Sequence, residues 1–267
     1  MNEDLDEIAF LYRREQKGLL ESWSTLLPEK KKLFLHQLQK YDEALLLKQQ
    51  QRLLEMEEPP FSLKPLKKFS LKGNQKNYLL GKELIAKGKM GCIVLSGGQG
   101  TRLGFQGPKG CAPITLIKGK SLFQFLSEKC VAASEESGIP LSLAFMTSPL
   151  NHEEIVSFFK HHHWFGLKKE QVDFFSQDML PLLNDKGNWV PSHSGLIAEG
   201  PNGNGSLIPS FYHSKIALKW KEQGIDFVNV IPIDNPLADP FDAEFLGFTK
   251  SHHLTAGVKA IEKTNPH

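Results

Sequence analysis

LSGGQGTRLGFQGPKG, residues 95–110, follows directly on a short apolar run, GCIVLS at 91–96. An apolar strand that ends in glycines lets backbone N–H groups approach phosphate oxygens with no Cβ in the way. Arg102 and Lys109 add two cations to the same loop. A polyphosphate attacked at phosphorus needs both features: donors on its oxygens, and positive charge where negative charge builds up. Two other phosphate loops fail on spacing. A dinucleotide fingerprint counted from Gly98 and Gly100 requires glycine at 103, where Leu103 stands. A Walker loop ending at Gly119-Lys120-Ser121 requires glycine at 114, which is Ile114.

The segments after this loop alternate between two periodicities. SLFQFLSEKCVAASEES (121–137), HEEIVSFFKHHH (152–163) and FDAEFLGFTKSHH (241–253) read as helices, and SLIPSFYHSKIALKWKEQ (206–223) as largely helical. LSLAFMTS (141–148), VDFFSQ (172–177), FVNVIPID (227–234) and AGVKAIEK (256–263) read as strands. Strand and helix in alternation define an α/β domain with a mostly parallel sheet and helices on both faces. Ligands of such sheets bind at the carboxyl ends of the strands.

Before the loop the chain has another character. Residues 1–57 read as helices: Leu5, Ile8 and Tyr12 recur at helical spacing, as do Leu19, Trp23 and Leu26. Pro28 with Glu29 suits the first turn of a new helix, and Phe34, Leu38, Tyr41 and Leu45 continue one apolar face. Residues 58–88 form a connector, rich in proline and lysine, and then a short helix; 89–267 is the α/β domain.

Composition narrows the function classes. With 40% hydrophobic and 23% charged residues, 267 residues suffice for a substantial core. A net charge of +2 gives no global basic field for nucleic acid. The acidic start MNEDLDEIAF is unlike a secretory signal, and no apolar run approaches the ~20 residues of a membrane span. Cys92, Cys111 and Cys130 are odd in number and lack CxxC spacing, so reduced thiols in a cytoplasmic protein are expected. His161, His162 and His163 project about 100° apart on a helix and cannot all face one ion. Cys111 has no histidine beside it in sequence to make it a nucleophile.

LSGGQGTRLG followed by PKG resembles the signature of the eukaryotic-type UDP-sugar pyrophosphorylases. Further matches come in family order: MTS at 146–148, FFKHHHWFGL at 158–167, VDFFSQDMLP at 172–181, PNGNGSL at 201–207 and IDN at 233–235. The resemblance spans about 80–267. It implies a Rossmann-like, GT-A-like nucleotidyltransferase fold preceded by helices. The reaction it implies is that of a Mg²⁺-dependent uridylyltransferase, joining UTP to a sugar 1-phosphate with release of pyrophosphate.

By the same resemblance Leu95, Ser96, Gly97 and Gly98 hold the nucleotide's base and phosphates. Arg102 is the loop arginine associated with catalysis, and Lys109 meets the UTP phosphates. Gln177 pairs with the uracil edge, Gly203 lies beside the base, Asn204 faces the sugar phosphate, and Asp234 binds Mg²⁺. The sequence departs from the family pattern at Ser96 (usually alanine), at Asn202 (usually aspartate) and at Ser206 (usually glycine). PNGNG is closer to the N-acetylhexosamine branch than to the glucose branch, so N-acetylglucosamine 1-phosphate is the expected sugar. UTP–glucose-1-phosphate uridylyltransferase is the alternative, and a catalytically inactive UTP-binding module is the reading of another class. Members of the family continue well past residue 267. The expectation is therefore an incomplete α/β domain that self-associates or is completed by a C-terminal chain.

Overall fold

The computed structural model describes residues 3–54 and 73–260. Four helices come first: α1 Glu3–Arg13, α2 Lys17–Thr25, α3 Pro28–Lys40 and α4 Glu43–Leu54. After the undescribed residues 55–72, which include most of the connector, come α5 Gln75–Ala86, β1 Met90–Leu95, α6 Leu122–Ser137, β2 Ser142–Thr147 and α7 His152–His161. The remainder is β3 Val172–Ser176, β4 Met179–Pro181, β5 Glu199–Pro201, α8 Leu207–His213, α9 Ile216–Glu222, β6 Phe227–Pro232 and α10 Ala243–Ser251. Among the described residues no helix is long and apolar enough to cross a membrane.

The chain divides into two compact units, residues 1–67 with 179–202, and 68–178 with 203–267. The sequence-based division at 57 and 88 assigned 179–202 to the α/β domain; the contacts assign it to the helices. The reason lies in its side chains. Trp189 and Ile197 are buried in one cluster with Ile8, Leu11, Leu19, Phe34, Tyr41 and Leu46. Gln16, fully buried, bonds Asn188 Oδ1 and receives the Trp189 amide. Pro28 opens α3 as its spacing predicts. The apolar stripe of α1 is shifted from the sequence reading, with Leu11 buried and Tyr12 59% exposed.

The second unit is built on a parallel four-stranded sheet in the order β3-β2-β1-β6. Successive residues of β1 face opposite sides, as pleating requires. Cys92 and Val94 enter a core with Phe123, Leu126, Phe145 and Phe159, while Ile93 joins Met146, Phe175, Phe211 and Trp220 on the other side. Helices therefore cover both faces, α6 and α7 on one and α8 and α9 on the other.

One expectation is refined here and one fails. Residues 206–223 are largely helical, as read, but in two helices, α8 and α9, with Lys215 at φ 63° between them. Ser214 causes the break: its hydroxyl donates to Phe211 O (2.7 Å) and accepts from the Ile216 amide (3.3 Å), competing with the helical ladder. The strand expected over 256–263 is absent from residues 256–260, and 261–263 lie outside the described residues. Gly257 packs against Thr249 and Phe245 of α10, and Lys259 pairs with Asp242, so the segment follows that helix instead of the sheet.

Candidate functional site

The carboxyl ends of β1, β2, β3 and β6 meet around the glycine-rich loop. Ser96, which directly follows β1, is fully buried, and both its amide (2.8 Å) and its hydroxyl (2.9 Å) donate to Met146 O on β2. Beyond this anchor the amides of Gly97, Gly98 and Gln99 have no acceptor among the described residues. The loop then closes on itself through Gly100 N to Gly107 O (2.8 Å) and Lys109 N to Gly98 O (3.1 Å). Three successive free N–H groups on a loop held at both ends form a concavity suited to anionic oxygens.

Gln177 follows β3 and is 5% exposed. Its Oε1 accepts the Gly203 amide at 2.6 Å, and its Nε2 lies against Gly97, where a Cβ would come within 2.3 Å. Nε2 has no acceptor among the described residues, so an amide held by one end presents its two donors beside the loop. Gly203 has φ 86° and ψ −178°, a conformation essentially reserved for glycine, which brings its N–H onto Gln177. Asn204 next to it is exposed at the start of a 3₁₀ turn.

Asp234 follows β6, whose chain stays registered with β1 through Ile233 N to Leu95 O at 3.1 Å. Its carboxylate meets Lys109 Nζ at 3.0 Å. Residues 125 positions apart are thus in direct contact. Arg102 is exposed on the 3₁₀ turn Thr101–Leu103, with no hydrogen bond or ion pair among the described residues. Gly97, Gln177 and Gly203 therefore form one contact group and Lys109 with Asp234 another, both at the strand ends, while Arg102 and Asn204 stand free.

Sequence reading gave no role to the polar layer beneath the loop. Thr147 and Ser148 are fully buried and Asn151 is 1% exposed. Asn151 Oδ1 accepts from the Ser148 amide and hydroxyl (2.9 and 3.1 Å), and its Nδ2 reaches Ser96 O at 3.5 Å. Thr147 Oγ1 donates to Phe175 O (3.1 Å) and contacts His152 Nδ1 (2.8 Å). MTS at 146–148 was the available signal, but Asn151 lies outside it.

The chemistry open to this group is binding and polarisation. At Cys111, beside the loop, burial first and then the Glu154 charge push the thiol up to about 12, the opposite of what a thiolate nucleophile needs. Among the described residues no three His, Cys, Asp or Glu side chains gather as a metal cage. A single exposed carboxylate at a strand end suits Mg²⁺, which takes one or two carboxylates and completes its shell with water and phosphate oxygens.

A parallel sheet flanked by helices, with a glycine-rich loop, a buried amide and a carboxylate at its strand ends, defines a nucleotidyltransferase-type α/β domain. The chain belongs to the family described as UTP–glucose-1-phosphate uridylyltransferase, whose family model matches residues 32–267. It is 32% identical to UDP-N-acetylglucosamine diphosphorylase 2 of Arabidopsis thaliana over 94% of this chain and 54% of that protein. It is 34% identical to UDP-N-acetylglucosamine pyrophosphorylase of Saccharomyces cerevisiae, over 77% of this chain and 45% of that protein. The solved UDP-N-acetylglucosamine pyrophosphorylase of Trypanosoma brucei is similar with a TM-score of 0.60 at 31% identity, covering 66% of this chain and 38% of that one. The chain spans about half the length of the curated relatives it matches.

Proposed function

We propose that this chain carries the UTP site of a uridylyltransferase that forms a UDP-sugar and pyrophosphate from UTP and a sugar 1-phosphate. The observation behind this reading is the contact of Gln177 with both Gly97 and Gly203, beside a loop with three unpaired amides. In it, Gln177 reads the uracil edge, with Gly203 leaving room for the ring. Leu95, Ser96, Gly97 and Gly98 border the base and the phosphates, and Asn204 faces the sugar phosphate. Lys109 and Arg102 offset negative charge on the triphosphate. Asp234 holds Mg²⁺, which when bound supplies Lewis-acid stabilisation to phosphate oxygens.

The sugar-phosphate oxygen attacks the α-phosphorus in line; the new P–O bond forms as the bond to pyrophosphate breaks. No protein nucleophile is needed, so the residues position both substrates and neutralise the charge that develops.

N-acetylglucosamine 1-phosphate is the preferred sugar substrate, supported by the PNGNG segment at 201–205 and by the names of the relatives above. Glucose 1-phosphate is the second reading, favoured by the description of the family. We assign the protein to the cytoplasm, with its thiols reduced. Pairing of β6 with a second copy or a completing chain is supported by Val228 and Val230, which remain 43% and 42% exposed on it. A pyrophosphate-release screen over sugar 1-phosphates tests the function. The expected result is Mg²⁺-dependent release with N-acetylglucosamine 1-phosphate in the lead. Tight UTP binding without release from any sugar phosphate would instead identify an inactive UTP-binding module.

A further inference from the structure

The end of α1, the turn into α2, Gln50 of α4 and residues between 184 and 191 line an open cavity of about 790 Å³, within the size range of small-molecule sites. All of these residues belong to the first unit, and none to the glycine-rich loop. Arg13, Arg14, Lys17 and Lys186 bring four cations to it, and Glu15 one carboxylate. Glu43 holds both guanidiniums, at 2.7 Å from Arg13 Nη2 and 2.6 Å from Arg14 Nε. Each arginine spends one of its five N–H groups there and keeps the others. Lys17 and Lys186 are exposed, with no ion pair among the described residues. Buried Gln16 ties the α1–α2 turn to the segment around Asn188. Its Nε2 donates to Arg14 O (3.0 Å) and Asn188 Oδ1 (2.8 Å), and its Oε1 accepts the Trp189 amide (2.8 Å). Asn188 therefore keeps its side-chain N–H groups, and Gly18 its backbone N–H, without an acceptor among the described residues.

The unpaired groups are mostly donors, which selects an anion, and fixed guanidiniums suit phosphate oxygens. Four cations less the two carboxylates of Glu15 and Glu43 leave a charge of +2, the complement of one dianionic phosphate group. Gln50, whose Nε2 donates to Gly187 O (2.9 Å), has Oε1 left for a hydroxyl, and Val190 and Pro191 add apolar surface. Inorganic phosphate would use neither. We infer that this cavity is a second ligand site, which takes the phosphate monoester of a small polyhydroxylated molecule. The test is a titration of the full chain, ¹⁵N-labelled, with glucose 6-phosphate, inorganic phosphate and glucose as probes. Glucose 6-phosphate should shift the Gly18 amide and the Asn188 side-chain amide, and bind about tenfold more tightly than inorganic phosphate or glucose. Lys17→Gln combined with Lys186→Gln should weaken that binding about tenfold or more. Lys30→Gln combined with Lys32→Gln makes the same charge change on α3, outside the cavity, and should leave the affinity within about twofold. Gly18 and Asn188 signals that stay fixed, equal affinity for phosphate and its ester, or equal losses in the two double variants would each overturn the inference.

Discussion

Gly97 is a residue whose importance depends on one neighbour. A methyl group there would sit 2.3 Å from Gln177 Nε2, and Gln177 is held from its other end by Gly203 N. Gly97→Ala should therefore displace the amide while leaving the core intact. Its UTP affinity is expected to fall by about tenfold or more, the cost of one misplaced hydrogen-bonding group, with little change in unfolding midpoint; calorimetry and thermal denaturation read the two. Arg102 makes the opposite kind of prediction. It has no structural partner among the described residues, so Arg102→Ala should fold normally and bind UTP almost unchanged. In the proposed reaction its turnover should drop by about a hundredfold, the usual loss for one electrostatic partner of a transition state. Equal losses in binding and turnover would show a ground-state contact instead. Gly97 and Arg102 stand out in the sequence because they lie in a glycine-rich loop directly after an apolar strand, whereas Gln177 is marked only by the resemblance to the family. Thr147, Ser148 and Asn151 are given no role by either. Short polar side chains acquire a role only from partners the fold brings to them, and Asn151 reaches Ser96 across 55 positions.

Helix α5 shows how an element can be read correctly in outline and missed in its purpose. The sequence marks it only as a short helix after a connector, yet it packs on α10 with almost no separation. A Cβ on Gly81 would lie 1.7 Å from Ala243 O, and one on Gly247 would lie 1.8 Å from Asn77 O. Each helix offers a glycine to the other's backbone, and Ser251 Oγ donates to Asn77 Oδ1 (3.0 Å) beside the contact. Backbone atoms cannot step aside as a side-chain tip can. Gly81→Ala or Gly247→Ala should each cost about 3 kcal/mol, the upper range for overpacking, measured by chemical denaturation. Ser121→Ala at the start of α6 should cost only ~1 kcal/mol, the value of one side-chain cap. The four strands of the sheet and the helices on its faces were legible because each repeats an apolar period that a core enforces. The break at Lys215 and the fate of 256–260 were not, since both turn on single competing contacts, Ser214 with its own backbone and Lys259 with Asp242. Residues 179–202 were misassigned for a similar reason: adjacency in sequence to β3 says nothing of Trp189 and its partners.

At the scale of the whole molecule, the cysteines tie stability to pH. Cys92 and Cys130 are buried in the main core of the second unit, and Cys111 packs against that core. Burial raises all three thiols: Cys111 and Cys130 to about 12 and Cys92 well above its ordinary 9.0. Near neutral pH every thiol is protonated in both folded and unfolded chains, and the stability they contribute is fully present. Above about pH 9 the unfolded chain releases these protons while the folded chain keeps them. The unfolded state then binds fewer protons, and stability falls with rising pH until the folded values are reached near 12. Lysines and tyrosines also titrate in this window, so the absolute decline is not diagnostic. Comparison with Cys111→Ser isolates one thiol, because serine does not ionise and the site is only half buried. Denaturation midpoints of the two proteins should run parallel from pH 7 to about 8.5. Above that the wild type should lose ground steadily relative to the variant through pH 10.5. Curves that stay parallel over the whole range would mean that Cys111 ionises as freely in the folded chain as in the unfolded one, and that its position beside the loop is open to water.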